Sequence, residues 1–183
     1  VLGIRQYKRV AIDLFQGDIT TFSCDVMVNA ANSALAGGSG VDGAIHRAGG
    51  TIIMDECRKI GGCAPGEAVV TGAGNLPASH VIHAVGPIWR DGAGDEDKVL
   101  ASAYKAALAQ VVRLGHRHVA MPALSTGAYG FPVAEAAKVA INAVAEFLDA
   151  MPDSGNMRRI TFVLFSGDIY RLFQEALFAR FPE

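Results

Sequence analysis

The residues best suited to chemistry lie between Asp25 and His46. Asn29 and Asn32 flank two alanines, and Gly37, Gly38, Gly40 and Gly43 follow with Asp42 as the only charge among them. Glycine permits positive φ and lets a ligand approach the backbone closely. Successive exposed N–H groups in such a loop form a nest for an anion. The run from Ala44 to Ala48 reads as helix, so the loop would deliver its ligand to a helix N-terminus, where the dipole favours phosphate. Carboxamides, a glycine cradle and one carboxylate together describe a phosphate site with a polar group beside it. A second loop of small residues, Ser125-Thr126-Gly127-Ala128-Tyr129-Gly130-Phe131, has the same setting between a strand pattern and a helix pattern.

The elements that must carry these loops are legible from periodicity. Val10, Ile12 and Leu14 share one face of a strand over 9–16, and the apolar run Val26-Met27-Val28 opens a buried strand ending near Ala31. Further strands are expected over 67–71, 80–85, 118–124 and 160–165. Helices are expected as two short pieces within 41–60 divided at Gly49-Gly50, then over 95–114, from Pro132 as first helical residue, and over 168–181. Residues 152–157 read as a loop. Strands alternate with helices after the first strand, and several strands are nearly all apolar. That pattern predicts an α/β sandwich, a mostly parallel sheet covered on both faces. No repeat or linker interrupts it, so one domain over 1–183 is expected. Ligands of such sheets bind at the carboxyl ends of the strands, and both glycine loops should lie on that edge.

Composition narrows the partners. Hydrophobic residues make up 51% of the chain, enough for a full core, yet no apolar run approaches the ~18 residues of a membrane span. A soluble, cytoplasmic protein is expected. The formal charge of −2 with interspersed acids and bases argues against a duplex-binding face. Arg113, His116, Arg117 and His118 read as a solvated helix end. Cys24, Cys57 and Cys63 lack disulfide or zinc spacing and are expected as reduced thiols. His80 and His83 stand three apart on a strand and should face opposite sides, one packed and one lining something, so no metal set is implied. Gly38-Ser39-Gly40-Val41-Asp42-Gly43 matches the dinucleotide fingerprint literally, but several residues separate it from its strand, and Asp55 and Glu56 fall inside a predicted helix. A Gly-Lys-Ser/Thr loop and a Gly-x-Ser-x-Gly elbow are both absent from the sequence. Asp18 after Gly17 suits a turn or helix cap.

Taken in order, Gly17-Asp18-Ile19-Thr20, Val28-Asn29-Ala30-Ala31-Asn32, the run Gly37 to His46, Val81-Ile82-His83-Ala84-Val85-Gly86-Pro87 and Ser125 to Pro132 resemble the macro domain. The likeness is to its MacroD-type branch, which includes bacterial O-acetyl-ADP-ribose deacetylases. The resemblance implies a three-layer α/β/α sandwich around a mixed, roughly six-stranded sheet that binds ADP-ribose. Neither metal nor cofactor is expected, since the sequence has no His/Cys ligand cluster and the reaction needs only a placed water. The resemblance assigns Asp18, beside the Ile19 backbone, to the adenine amino group. It places the loops Gly38, Ser39, Gly40, Val41 and Ser125, Thr126, Gly127, Ala128, Tyr129 over the pyrophosphate, with Tyr129 on the distal ribose. Asn32 would orient that ribose, and Asp42 would position or activate a water, unless the substrate phosphate does so and Asp42 orients the ribose. Phe165 is either an adenine-stacking ring or a core strand residue. Ser39, Ala73 and Ala128 depart from the Gly, Tyr and Val frequent in this branch, and none of them removes a proposed catalytic group.

The function implied is hydrolysis of an ester at the distal ribose. Substrates would be O-acetyl-ADP-ribose or proteins carrying ADP-ribose on Asp or Glu. The alternative is a reader that binds ADP-ribose without cleaving it. An RNA-binding or ribonuclease-regulating role, which relatives suggest, finds no basic patch here.

Overall fold

Strand pairing decides where the site can be. A computed structural model describes residues 3–151 and 153–183; Val1, Leu2 and Pro152, the last at the head of the expected 152–157 loop, lie outside them. The elements run β1 (Ile4–Tyr7), β2 (Val10–Gln16), a 3₁₀ turn (Ile19–Thr21), β3 (Val26–Ala31), α1 (Gly40–Gly49), α2 (Thr51–Ile60), β4 (Ala68–Gly72), β5 (His80–Val85), α3 (Glu96–Leu114), β6 (His118–Met121), α4 (Val133–Ala150), β7 (Arg159–Leu164) and α5 (Gly167–Arg180). The sheet has seven strands in the order β1-β2-β7-β6-β3-β5-β4. The pairs β1/β2 and β4/β5 are antiparallel and the others parallel. The mixed sandwich is as expected, with seven strands rather than six. The extra one, β1, is an edge strand whose Ile-Arg-Gln-Tyr carries no alternating apolar signal. It pairs because Lys8-Arg9 closes a tight hairpin, Lys8 taking a positive φ.

Side chains alternate across the sheet. In β3, Val26 and Val28 join the larger core with α3, α4 and α5, while Met27 and Ala31 join the smaller core with α1 and α2. In β5, Ile82 and Ala84 face the first core and Val81 and Val85 the second. Asn29 and His83 therefore point toward the α1/α2 layer, and they are register partners across β3 and β5.

The parallel strands β2, β7, β6, β3 and β5 put their carboxyl ends on one edge. The connections from β3 lead toward β5 on one side, and β6 lies on its other side. This is a topological switch point. Pairing of β3 with β6 covers only Val26↔Val119 and Met27↔Ala120, so it stops well before β3 ends.

Three local expectations change. The strand β6 stops at Met121 rather than Leu124, because Pro122 follows and cannot donate to the ladder. Pro132 is the cap of α4 and Val133 its first residue, since Pro132 keeps an extended ψ of 128°. The cluster after α3 is not simply solvated. His116 Nε2 lies 2.8 Å from His80 Nδ1, and His118 Nε2 lies 2.8 Å from Thr161 Oγ1. Asp25 draws this corner in by accepting from the backbone N–H groups of Arg117 and His118.

The turn after β6 hangs on one buried hydroxyl. Tyr104 Oη donates to Pro122 O at 2.8 Å and accepts from Leu124 N at 2.9 Å. Tyr104→Phe leaves both backbone groups without that partner in the core. It should lower stability by about 1–3 kcal/mol, read as a shifted midpoint in urea; an unchanged midpoint would mean that water replaces the hydroxyl.

Candidate active site

Asp42 sits in the first turn of α1 and is only 6% exposed. A buried carboxylate needs compensation, and it has three sources. Its Oδ1 accepts from Asn29 Nδ2 at 2.9 Å and lies 3.2 Å from His46 Nε2. The N-terminal end of α1 adds a favourable dipole. Oδ2 has no such partner among the described residues and lies toward Gly38, 3.4 Å from where a Cβ there would stand. The carboxylate is thus held by one oxygen and presents the other to the loop.

Asn32 has a structural duty in the same loop. Its Nδ2 donates to Gly37 O at 2.9 Å and its Oδ1 accepts from Ala36 N at 3.1 Å. One Nδ2 hydrogen remains for a ligand, 3.9 Å from the Cβ position of Gly38. The loop can turn this tightly because Gly37 and Gly40 take φ of 78° and 58°. It can lie on α1 because Gly43 has no side chain: a Cβ there would stand 2.5 Å from Gly38 O.

The second loop follows β6, the strand beside β3, on the same edge of the sheet. Ser125 takes a φ of 66°, Phe131 N donates to Ser125 O, and Thr126 Oγ1 donates to Ala123 O. The N–H groups of Ser125, Thr126, Gly127, Ala128 and Tyr129 find no acceptor among the described residues, leaving a row of donors. Trp89, on the loop after β5, braces this one: its N–H donates to Tyr129 O at 2.9 Å and its ring lies 4.7 Å from Phe131. Ser125 Oγ is buried without a partner and presses on Gly86, where a Cβ would stand 2.2 Å away.

At the far end of the edge, Asp18 caps the 3₁₀ turn. Its Oδ1 accepts from Thr20 N at 2.9 Å and Thr20 Oγ1 at 2.7 Å. The cap reading of Asp18 is therefore correct, and Oδ2 takes no part in it. Ile19 is buried beside it. Phe165 follows β7 and is 81% exposed, which rules out the core reading of this ring. Phe15, 47% exposed near the end of β2, stands 5.1 Å from Phe22, which packs in turn on His118 at the start of β6.

Comparison with known proteins bears on the family and the fold. The macro domain family model matches residues 28–140. The chain belongs to the macro domain family. A macro domain-containing protein of Cupriavidus necator is 49% identical over 170 residues, 91% of this chain and 96% of the relative. A Citrobacter koseri protein named O-acetyl-ADP-ribose deacetylase is 48% identical over 172 residues, 91% of this chain and 94% of the relative. The solved Oceanobacillus iheyensis macrodomain with ADP has a TM-score of 0.90 at 34% identity, covering 97% of this chain and 95% of that one.

The sequence alone assigns no role to Asn29, His46 or His83 in this macro domain. The signals existed. Asn29 is polar within a buried apolar strand, and His46 stands one helical turn after Asp42. His83 is fully buried, while His80 on the opposite face is half-buried. Burial, and next the nearby His46, push the His83 imidazole down to about 4, so it is neutral at pH 7. Burial likewise pushes the Cys57 thiol up to about 11, helped by Asp42 and Glu56, so it carries no thiolate there. All three cysteines are unpaired.

The buried His83 makes this macro domain acid-sensitive. Unfolded His83 takes a proton near pH 6.5 and folded His83 only near 4. Between those values the unfolded chain holds the extra proton, so stability falls as pH falls, by up to about 3 kcal/mol. His116 and His118, also lowered chiefly by burial, add in the same direction. Urea titrations at pH 7 and pH 4.5 should show His83→Asn losing less stability on acidification than wild type; equal losses would refute the assignment to His83.

Proposed function

We propose that residues 1–183 act as one macro domain that binds ADP-ribose and hydrolyses an ester at its distal ribose. The substrate would be O-acetyl-ADP-ribose or ADP-ribose esterified to Asp or Glu of a protein. The observation that carries this is Asp42, a buried carboxylate tied by one oxygen and presenting the other to the glycine loop, with a second run of open amides after the neighbouring strand β6. Relatives over most of the chain that are named O-acetyl-ADP-ribose deacetylase support the substrate class.

In this reading Asp18 Oδ2 accepts from the adenine amino group beside Ile19, and Phe165 stacks on the ring. The amides of Gly38, Ser39, Gly40 and Val41 and of Ser125 to Tyr129 bind the pyrophosphate, as open N–H groups at a helix N-terminus can. Asn32 Nδ2 and the Tyr129 ring orient the distal ribose. A water adds through its oxygen to the acyl carbon, the bond from that carbon to the ribose oxygen breaks, and the ribose oxygen takes up a proton. Asp42 Oδ2 positions the water or the ribose for this step, either directly as base or alongside a substrate phosphate. The reaction needs no cofactor. Unpaired cysteines fit a reducing, cytoplasmic setting. Among the described residues no helix is long and apolar enough to cross a membrane.

Calorimetry with ADP-ribose, using NAD and AMP as controls, comes first. Micromolar binding with NAD clearly weaker is expected, and no binding by folded protein would overturn the reading. Asp42→Ala should abolish turnover of O-acetyl-ADP-ribose while ADP-ribose still binds; a reader would show no turnover even as wild type, and equal loss of binding and turnover would remove Asp42 from the chemistry. Asp18→Asn keeps the cap acceptor for Thr20 but can offer adenine an amide N–H in place of the carboxylate. It should weaken binding by about 1–3 kcal/mol, whereas an unchanged dissociation constant would refute the adenine contact.

A further inference from the structure

Beneath Asp42 runs a chain of buried polar groups that the hydrolytic step does not use. Asn29 Nδ2 lies 2.9 Å from Asp42 Oδ1 and 3.1 Å from His83 Nδ1. His83 Nε2 lies 2.8 Å from Thr71 Oγ1, which in turn lies 2.9 Å from Gly72 O. Asn29, His83 and Thr71 are all buried.

The direction of every bond follows from the last acceptor. A backbone carbonyl only accepts, so the Thr71 hydroxyl donates to Gly72 O. Its oxygen then accepts at His83, which places the imidazole proton on Nε2. Nδ1 is left as a lone pair, so the Asn29 atom facing it must be the amide nitrogen. The same nitrogen faces Asp42, and its second hydrogen points at Oδ1. With the amide reversed, an oxygen would face both the Asp42 carboxylate and the Nδ1 lone pair. The neutral state of His83 keeps that lone pair available at pH 7.

We propose that His83 is a positioning residue for Asp42: through the tautomer set by Thr71 it fixes the Asn29 amide, and through Asn29 the carboxylate. This rests on the hydrolase reading above. Gly72 O thereby orients a carboxylate in α1 through three side chains from three adjacent parts of the fold. His83 is buried and separated from the ligand edge by Asn29 and Asp42, so its effect should fall on the chemical step and not on binding.

Kinetics on O-acetyl-ADP-ribose, ADP-ribose calorimetry and ¹⁵N NMR of the imidazole test this together. In wild type the His83 proton should be on Nε2 at pH 7; a proton on Nδ1 would overturn the proposal. His83→Leu should lower kcat roughly 10- to 100-fold, as a small misplacement of a reacting group does, with KM and the ADP-ribose dissociation constant within about twofold. His83→Asn, whose Oδ1 falls where Nδ1 stood, should recover much of kcat, which a purely packing role would not predict. If His83→Leu does not fold, Thr71→Val decides: it keeps the shape, frees the tautomer, and should lower kcat alone. An unchanged kcat in the folded variants, or a parallel loss of binding, refutes the positioning role while wild-type turnover leaves the hydrolase standing. Absence of wild-type turnover takes down both.

Discussion

A carboxylate stays buried here while one of its oxygens is left open, and the rest of this macro domain is arranged around that constraint. Burial of Asp42 would be costly if its charge were uncompensated. Asn29, His46 and the start of α1 compensate it on one side. The other side must remain open, which requires backbone, not side chains, as the neighbouring wall. Gly38 and Gly43 meet that requirement: neither carries a Cβ, and the loop comes close enough to place Oδ2 beside it.

The sheet makes this local arrangement possible. Asn29 faces α1 because it shares a pleat face with Met27 and Ala31, and a one-residue slip would turn it into the opposite core. The early end of β3/β6 pairing leaves the carboxyl half of β3 outside that ladder. Tyr104 and Trp89 then hold the far wall, one by hydrogen bonds at the base of the turn and one from the loop after β5. Positive φ at Ser125, a non-glycine residue, marks the place where that wall is strained into presenting its amides.

Side chains in this site have two duties. Asp18 caps a turn with one oxygen and Asn32 ties its own loop with both ends of its amide. In the proposed reading a ligand would meet groups that are already held, which would limit the ordering entropy lost on binding. Phe165, 81% exposed just past the end of β7, sits on the same edge.

Hydrophobic periodicity and backbone permissiveness are local properties of the chain, so the layered α/β class, the two glycine loops and their place on one edge are legible before any folding is considered. The sequence carried the motifs that resemble the macro domain, and with them Asp42, Asn32 and Asp18. It did not reveal β1, whose pairing comes from a hairpin and an available edge and not from its own pattern. Nor did it separate the two readings of Phe165, since exposure at a strand end depends on where the ladder stops. The chain from Asp42 through Asn29 and His83 to Thr71 was decided only by tertiary structure. These residues come from a helix and three strands, and only the cross-strand register of β3, β5 and β4 brings them within hydrogen-bond distance.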